Sequence, residues 1–163
     1  MITARVLAVV MPSLGQIEAV RLLPDLLFAA RRFAITTPPR EAAFLGQLAH
    51  ESGGLRYWEE IASGAAYEGR ADLGNTRPGD GRRYKGRGPI QITGRSNYRA
   101  AGRALALDLE NHPEQASQPD VGFLVSAWYW DSRQLNALAD EDTEDAYRRI
   151  TRKINGCYTG WQD

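Results

Sequence analysis

Apolar residues recur at helical steps along most of the chain. Ile17, Val20, Leu23, Leu27, Ala30 and Phe33 are spaced by threes and fours, the repeat of one helix face. Pro24 falls inside this stretch and is expected to break or kink it, because it lacks an N–H and crowds the preceding turn. Thr36-Thr37-Pro38-Pro39 predicts the next helix start, with Thr37 as cap and Pro38 at the first helical position. That helix gathers Phe44, Leu45, Leu48 and Ala49 on one face and stops at Gly53-Gly54. From about Ser63 to Lys85 the period is lost in a segment rich in Gly, Arg, Asp and Asn, with Pro78-Gly79 as a turn pair. More than about twenty residues without an element point to a functional or a disordered loop. Ile90 and Ile92 alternate with Gln91 and Thr93, the pattern of a short strand. Helical spacing returns after Ser96 in Tyr98, Ala101, Ala104 and Leu105, and Val121 to Trp130 is long enough for a buried helix. A last helix is expected from Thr143, as cap, towards Ile154, and the apolar run Val6 to Met11 suits the face of a first helix. The pattern predicts a mainly helical fold with a small β element beside a long loop.

Composition narrows the class. A chain of 163 residues suits one domain, 1–163, able to bury a core without staples. Lys+Arg and Asp+Glu both number 20, and a neutral whole argues against a dedicated nucleic-acid binder. The single cysteine, Cys157, excludes an intrachain disulfide and is compatible with a reducing cytoplasm. No stretch near 18 apolar residues occurs, so no membrane span is expected. Met1 to Leu14 has no clear small-residue cleavage site and makes a poor export signal. Arg70, Arg77, Arg82, Arg83, Lys85, Arg87 and Arg95 stand against Asp72 and Asp80 in one loop. This basic loop is either solvated with internal ion pairs or attracts an anionic polymer.

The chemistry centres on carboxylates. Glu51 sits at a predicted helix end, where the negative pole of the helix disfavours a carboxylate. Tyr57 and Trp58 follow closely and would reduce its solvation, and both effects raise a carboxyl pKa. A glutamic acid that keeps its proton near neutrality suits proton donation to a leaving oxygen. The glycine turn lets Glu59, Glu60 or Glu68 face Glu51 across a groove, as glycosidases that use two carboxyls require.

Ala49-His50-Glu51-Ser52-Gly53-Gly54, then Tyr84-Lys85-Gly86-Arg87-Gly88-Pro89-Ile90-Gln91-Ile92-Thr93, resembles glycoside hydrolase family 19. Gly94-Arg95-Ser96-Asn97-Tyr98 and Ile150-Thr151-Arg152-Lys153-Ile154-Asn155-Gly156 continue the resemblance, which runs from about residue 36 to 155. Tyr67-Glu68-Gly69-Arg70 and Asp72-Leu73-Gly74-Asn75 look like its bacterial and phage branch. Several separated motifs in the right order are specific where one would be weak.

The resemblance implies a mainly α, lysozyme-like α+β fold with a long loop flanking a substrate cleft, and an inverting mechanism. It places the general acid on Glu51 and the general base on Glu60, nine residues later, with Glu59 and Glu68 as alternatives for the base. It places the water-holding hydroxyl on Thr93, and substrate contacts on Tyr84, Arg87, Gln91, Asn97, Tyr98 and Asn155. Arg152 resembles the basic residue that ties the carboxylates into a network. The family's usual second glycine after Asn-Gly is replaced by Cys157. His50 and His112 sit in no ligand spacing, so no metal is expected, and no cofactor. The implied function is a phage-type endolysin, a muramidase on peptidoglycan. It would be a monomer made in the host cytoplasm, reaching the wall through a holin without inserting in the membrane. The alternatives are a chitinase on poly-N-acetylglucosamine and a non-catalytic wall-binding module. Trp128-Tyr129-Trp130 reads as core before it reads as a sugar platform.

Overall fold

The computed structural model describes residues 1–155, the last of them by its backbone alone. Eight α-helices order these residues: α1 (Ala4–Val10), α2 (Gln16–Arg32), α3 (Pro38–Ser52), α4 (Asp80–Arg83), α5 (Arg95–Leu105), α6 (Pro119–Ser132), α7 (Leu135–Ala139) and α8 (Glu144–Asn155). Expectations for the Asn155 side chain, Gly156 and Cys157 lie outside the described residues.

α2 runs through Pro24 without ending. Pro24 and Val20, whose carbonyl loses its helical donor there, lie on the exposed face, where water can replace the missing bond. The buried face of α2 is Ala19, Leu22, Leu26, Ala29 and Ala30, not the stripe expected from spacing. Ile17 and Val20 are 88% and 55% exposed. The alanines let α2 lie close along α6, its most extensive partner, so small residues define the contact face where larger ones suggested another.

α3 begins after Thr37, as expected, but the Thr37 hydroxyl makes no capping bond. Pro38 and Pro39 remove the first two amides, so a cap hydroxyl loses one of its usual donors. The helix closes at Gly53 in a left-handed conformation, with the Gly54 amide donating to Ala49 O at 2.7 Å. α8 starts under its expected cap: the Ala146 amide donates to Thr143 Oγ1 at 3.2 Å.

The aperiodic segment is built of single turns, Ala65–Tyr67, Ala71–Leu73 and α4. The strand expected at Ile90–Thr93 is replaced by two isolated antiparallel bridges, Glu59 to Arg87 and Arg87 to Ile92. Arg87 and Ile92 exchange both backbone bonds, at 3.2 and 2.9 Å, closing a tight hairpin. Gly88 and Gln91 turn it with φ of +75° and +52°. The alternation of Ile90 and Ile92 therefore reports burial in a turn.

Two hydrophobic cores result. The larger joins α1, α2, α3, α6 and α7 around Leu22, Leu26, Phe44, Leu48, Phe123 and Trp130. The smaller joins the hairpin, α5 and α6 around Tyr84, Ile92, Tyr98, Leu105 and Val125. α6 is apolar almost all round because it serves both, giving Phe123, Ala127 and Trp130 to one and Val125 to the other. No described helix is long and apolar enough to cross a membrane.

Candidate active site

A cleft of about 430 Å³ opens between the end of α3, the hairpin, the start of α5, α6 and the end of α8. Its polar lining is His50, Glu51, Gln91, Thr93, Asn97 and Tyr129, with Leu73, Ile90, Ile92 and Ile154 between them. Four residues expected at the site, Glu51, Gln91, Thr93 and Asn97, thus meet in one cavity.

Glu51 is the penultimate residue of α3, half-buried, with Oε1 sealed from water. The aromatic beside it in the cleft is Tyr129 rather than Tyr57 or Trp58. Trp58 packs edge-on against Phe123 at 5.3 Å in the core, and Tyr57 stands 43% exposed over Gly53. Burial raises the Tyr129 hydroxyl above its ordinary value; nearby Arg133 opposes this and the Glu51 charge adds to it. The Arg133 guanidinium lies 3.2 Å from the Tyr129 ring centroid, a cation–π stack at the cleft edge. Sequence reasoning missed Tyr129 because its neighbours in the aromatic run are core. Trp130 is fully buried, and one helical step of roughly 100° carries Tyr129 round to the cavity.

The opposite wall is the hairpin. Thr93 Oγ1 donates to Gln91 O at 2.9 Å, and Asn97 Nδ2 donates to Thr93 O at 2.7 Å, so the three residues hold one another. Gln91 Nε2 donates to Gly88 O at 2.8 Å, and its φ of +52° is a strained value for a side chain of this size. Glu60 is pinned behind this wall. Its carboxylate accepts from the Tyr67 hydroxyl and the Gly86 amide, both at 3.1 Å, and its amide donates to Gly86 O at 2.9 Å. Gly86 is the contact point: a Cβ there would lie 2.7 Å from Gln91 Oε1 and 3.3 Å from Glu60 Oε2.

The other expectations divide. Glu59 is held by Lys85 at 3.2 Å and Arg87 at 3.1 Å, beside Glu60 but tied to cations. Glu68 does not line the cleft. Its two oxygens accept the Gly79 and Gly81 amides at 2.6 and 2.8 Å, fastening the α4 turn. Tyr84, Arg87 and Tyr98 are corrected from substrate contacts to supports. Tyr84 is 1% exposed, with its hydroxyl donating to Glu110 O at 2.9 Å. Tyr98 is fully buried, donates to Lys85 O at 2.8 Å, and its hydroxyl is pushed well up by burial. Arg87 is 7% exposed and binds Arg83 O, the Tyr98 hydroxyl and Glu59. All three carry a polar tip on a large body; both hydroxyls and the terminal nitrogens of Arg87 find partners, while Arg87 Nε is buried without one. Arg152 lies exposed on the last turns of α8.

The basic loop is largely neutralised from within. Arg70 pairs with Asp72, Arg95 with Asp80 and Glu110, and Arg83 donates to Glu110 O and Asn111 O. Ion pairs take up Arg70, Lys85, Arg87 and Arg95, while Arg83 keeps its charge on backbone carbonyls. Among the described residues no three His, Cys, Asp or Glu side chains gather as a metal site requires.

Residues 26–143 match the family model described as chitinase class I, glycoside hydrolase 19. An Arabidopsis thaliana endochitinase (At2g43610) is 41% identical over 133 residues, covering 78% of this chain and 44% of that protein. A glycosyl hydrolase family 19 domain-containing protein of Haemophilus influenzae is 31% identical over 153 residues, covering 74% of this chain and 72% of its own length. Chitinase C from Streptomyces griseus superposes with a TM-score of 0.73 at 30% identity, covering 94% of this chain and 65% of that one. The chain spans less than half the length of the two Arabidopsis thaliana endochitinases it matches. Motifs, cleft and relatives agree: the chain belongs to glycoside hydrolase family 19.

Proposed function

We propose that the protein is an inverting β-1,4-glycosidase of N-acetylhexosamine polymers, with Glu51 as general acid and Glu60 as general base. The observation that supports this reading is the cleft where Glu51 meets Gln91, Thr93 and Asn97, with Glu60 held beside Gln91 rather than in the lining itself. Glu51 ends α3 on one side of the cleft, and Glu60 is pinned at Gly86 against Gln91, which lines the other. Glu51 gives its proton to the glycosidic oxygen as the bond to the anomeric carbon breaks. Glu60 takes a proton from water attacking the opposite face of the sugar, which inverts the configuration. Two donors orient the Glu60 carboxylate, and Thr93, both donor and acceptor, suits the positioning of that water. Gln91 and Asn97 offer amides to the N-acetyl groups, and Tyr129 offers a ring face to a sugar.

The polymer we favour is peptidoglycan, cut by a monomeric endolysin made in the host cytoplasm and reaching the wall through a holin. The Tyr67–Arg70 and Asp72–Asn75 motifs, which look like the bacterial and phage branch, support this. Chitin is the second reading, supported by the chitinase names of the plant and Streptomyces relatives. Reducing ends released from purified peptidoglycan and from colloidal chitin separate the two. Glu51→Gln is expected to lower the rate on the true substrate by roughly 10²–10⁴-fold. Undiminished hydrolysis by that variant overturns the assignment of the acid, and binding of both polymers without release supports a non-catalytic module.

A further inference from the structure

Gln47 lies one turn before Glu51 on α3, so the two side chains share a helix face. Its Nε2 donates to Thr151 Oγ1 on α8 at 3.0 Å, while the Thr151 hydroxyl donates to Tyr147 O at 3.1 Å. These bonds fix the amide. With its proton directed at Tyr147, Thr151 serves Gln47 as acceptor, so the nitrogen faces α8 and the oxygen faces away. Gln47 Oε1 is buried and receives no hydrogen bond. Native proteins keep few such buried acceptors unsatisfied, because each is destabilising. One turn on, Glu51 Oε1 is also sealed from water. An ionised carboxylate offers Gln47 no proton, but a carboxylic acid does.

We propose that Gln47 is a positioning residue for Glu51: in the free protein the protonated Glu51 carboxyl donates to Gln47 Oε1. The proposal rests on Glu51 as general acid and adds the group that keeps it loaded. A hydrogen bond made by the neutral form favours that form, so Gln47 holds the proton in place until substrate arrives. The hydroxyl then turns from Gln47 to the glycosidic oxygen, and the O–H bond breaks there as the sugar leaves. Charged and titratable groups on the neighbouring elements are His50 on α3 and Tyr129 on α6, which line the same cleft, Arg133 stacked on Tyr129, and Arg148, Arg152 and Lys153 on α8, which packs on α3. All remain in place when Gln47 alone is changed.

The test is a side-chain carbon-13 NMR titration of the full chain, with the Glu51 signal assigned by its loss in Glu51→Gln. Gln47→Met keeps the length of the side chain and removes the acceptor. Its Glu51 midpoint is expected to fall by about half to one pH unit, a roughly three- to tenfold loss of proton affinity. Thr151→Val releases the amide nitrogen but keeps the oxygen, and is expected to lower thermal stability without moving the midpoint as far. An unmoved midpoint in Gln47→Met overturns the proposal, and so does an equal fall in Thr151→Val. In the unaltered protein the Gln47 carboxamide carbon is expected to shift with the same midpoint as Glu51, and independent behaviour there also overturns it. Hydrolysis that survives Glu51→Gln overturns the general-acid reading alone, because the titration does not depend on activity.

Discussion

Gly86 leaves no room for a Cβ between Gln91 and Glu60, and its substitution tests how Glu60 is held. An alanine Cβ would approach Gln91 Oε1 to 2.7 Å and Glu60 Oε2 to 3.3 Å, so both side chains must retreat. Displacements of roughly 1 Å in catalytic groups cost up to about a hundredfold in rate. Gly86→Ala is expected to lower kcat by about ten- to a hundredfold while leaving the melting temperature within a few degrees, as steady-state assays and thermal unfolding will show. At this scale legibility was uneven, for a physical reason. Glu51 was legible from its helix end, whereas Gln91, Thr93 and Asn97 were legible only through the motifs that resemble the family. Tyr84, Arg87 and Tyr98 sit in the same motifs but point inward, and side-chain identity does not reveal direction. Tyr129 was hidden by the reverse effect, a rim residue inside a run whose neighbours are core.

Among the elements, those with caps and breakers were legible. α3 is bracketed by Thr37-Pro38 and Gly53-Gly54, and α8 by Thr143, so local chemistry fixes where they start or stop. The buried face of α2 was not legible, because tight packing on α6 favours alanines over the larger residues that dominate a hydrophobic count. The segment before the hairpin was opaque for another reason: a single turn is too short to show a period. Its order depends on side-chain anchors such as Glu68, whose two oxygens bind the Gly79 and Gly81 amides. Glu68→Gln keeps one acceptor and turns the other into a donor facing an N–H. The loss is expected to be about 1–2 kcal/mol in urea unfolding, with activity retained once the protein is folded. A loss of activity as complete as that of Glu60→Gln would instead return Glu68 to the catalytic pair.

For the whole molecule, neutrality conceals an ordered charge network. Arg99, then Arg95, holds the Glu110 carboxyl down at about 2, and Arg95 also lowers buried Asp80. Folded values below the unfolded ones mean stability that is fully present above about pH 4.5 and lost as pH falls through about 2. Water partly screens Glu110, so its share is about 1–2 kcal/mol. Glu110→Gln is expected to be less stable than the parent by that amount at pH 7, with the difference vanishing near pH 2 in denaturant titrations. A gap that persists at pH 2 would assign the loss to packing.

The two cores meet on one helix. Gln91 and Thr93 belong to the side whose core holds Ile92 and Val125, while Glu51 belongs to the side held by Phe44 and Trp130. Cooperative units of opening tend to follow such packed groups, and the smaller one is expected to open at the lower free energy. A sugar chain lying across the cleft touches both at once and binds neither when they part. By linkage, occupancy then stabilises the closed arrangement by RT ln(1 + [L]/Kd), and that gain falls chiefly on the lesser core. On the proposed reading the polymer would act as a clamp on the protein, and each cut that shortened the bound chain would loosen it.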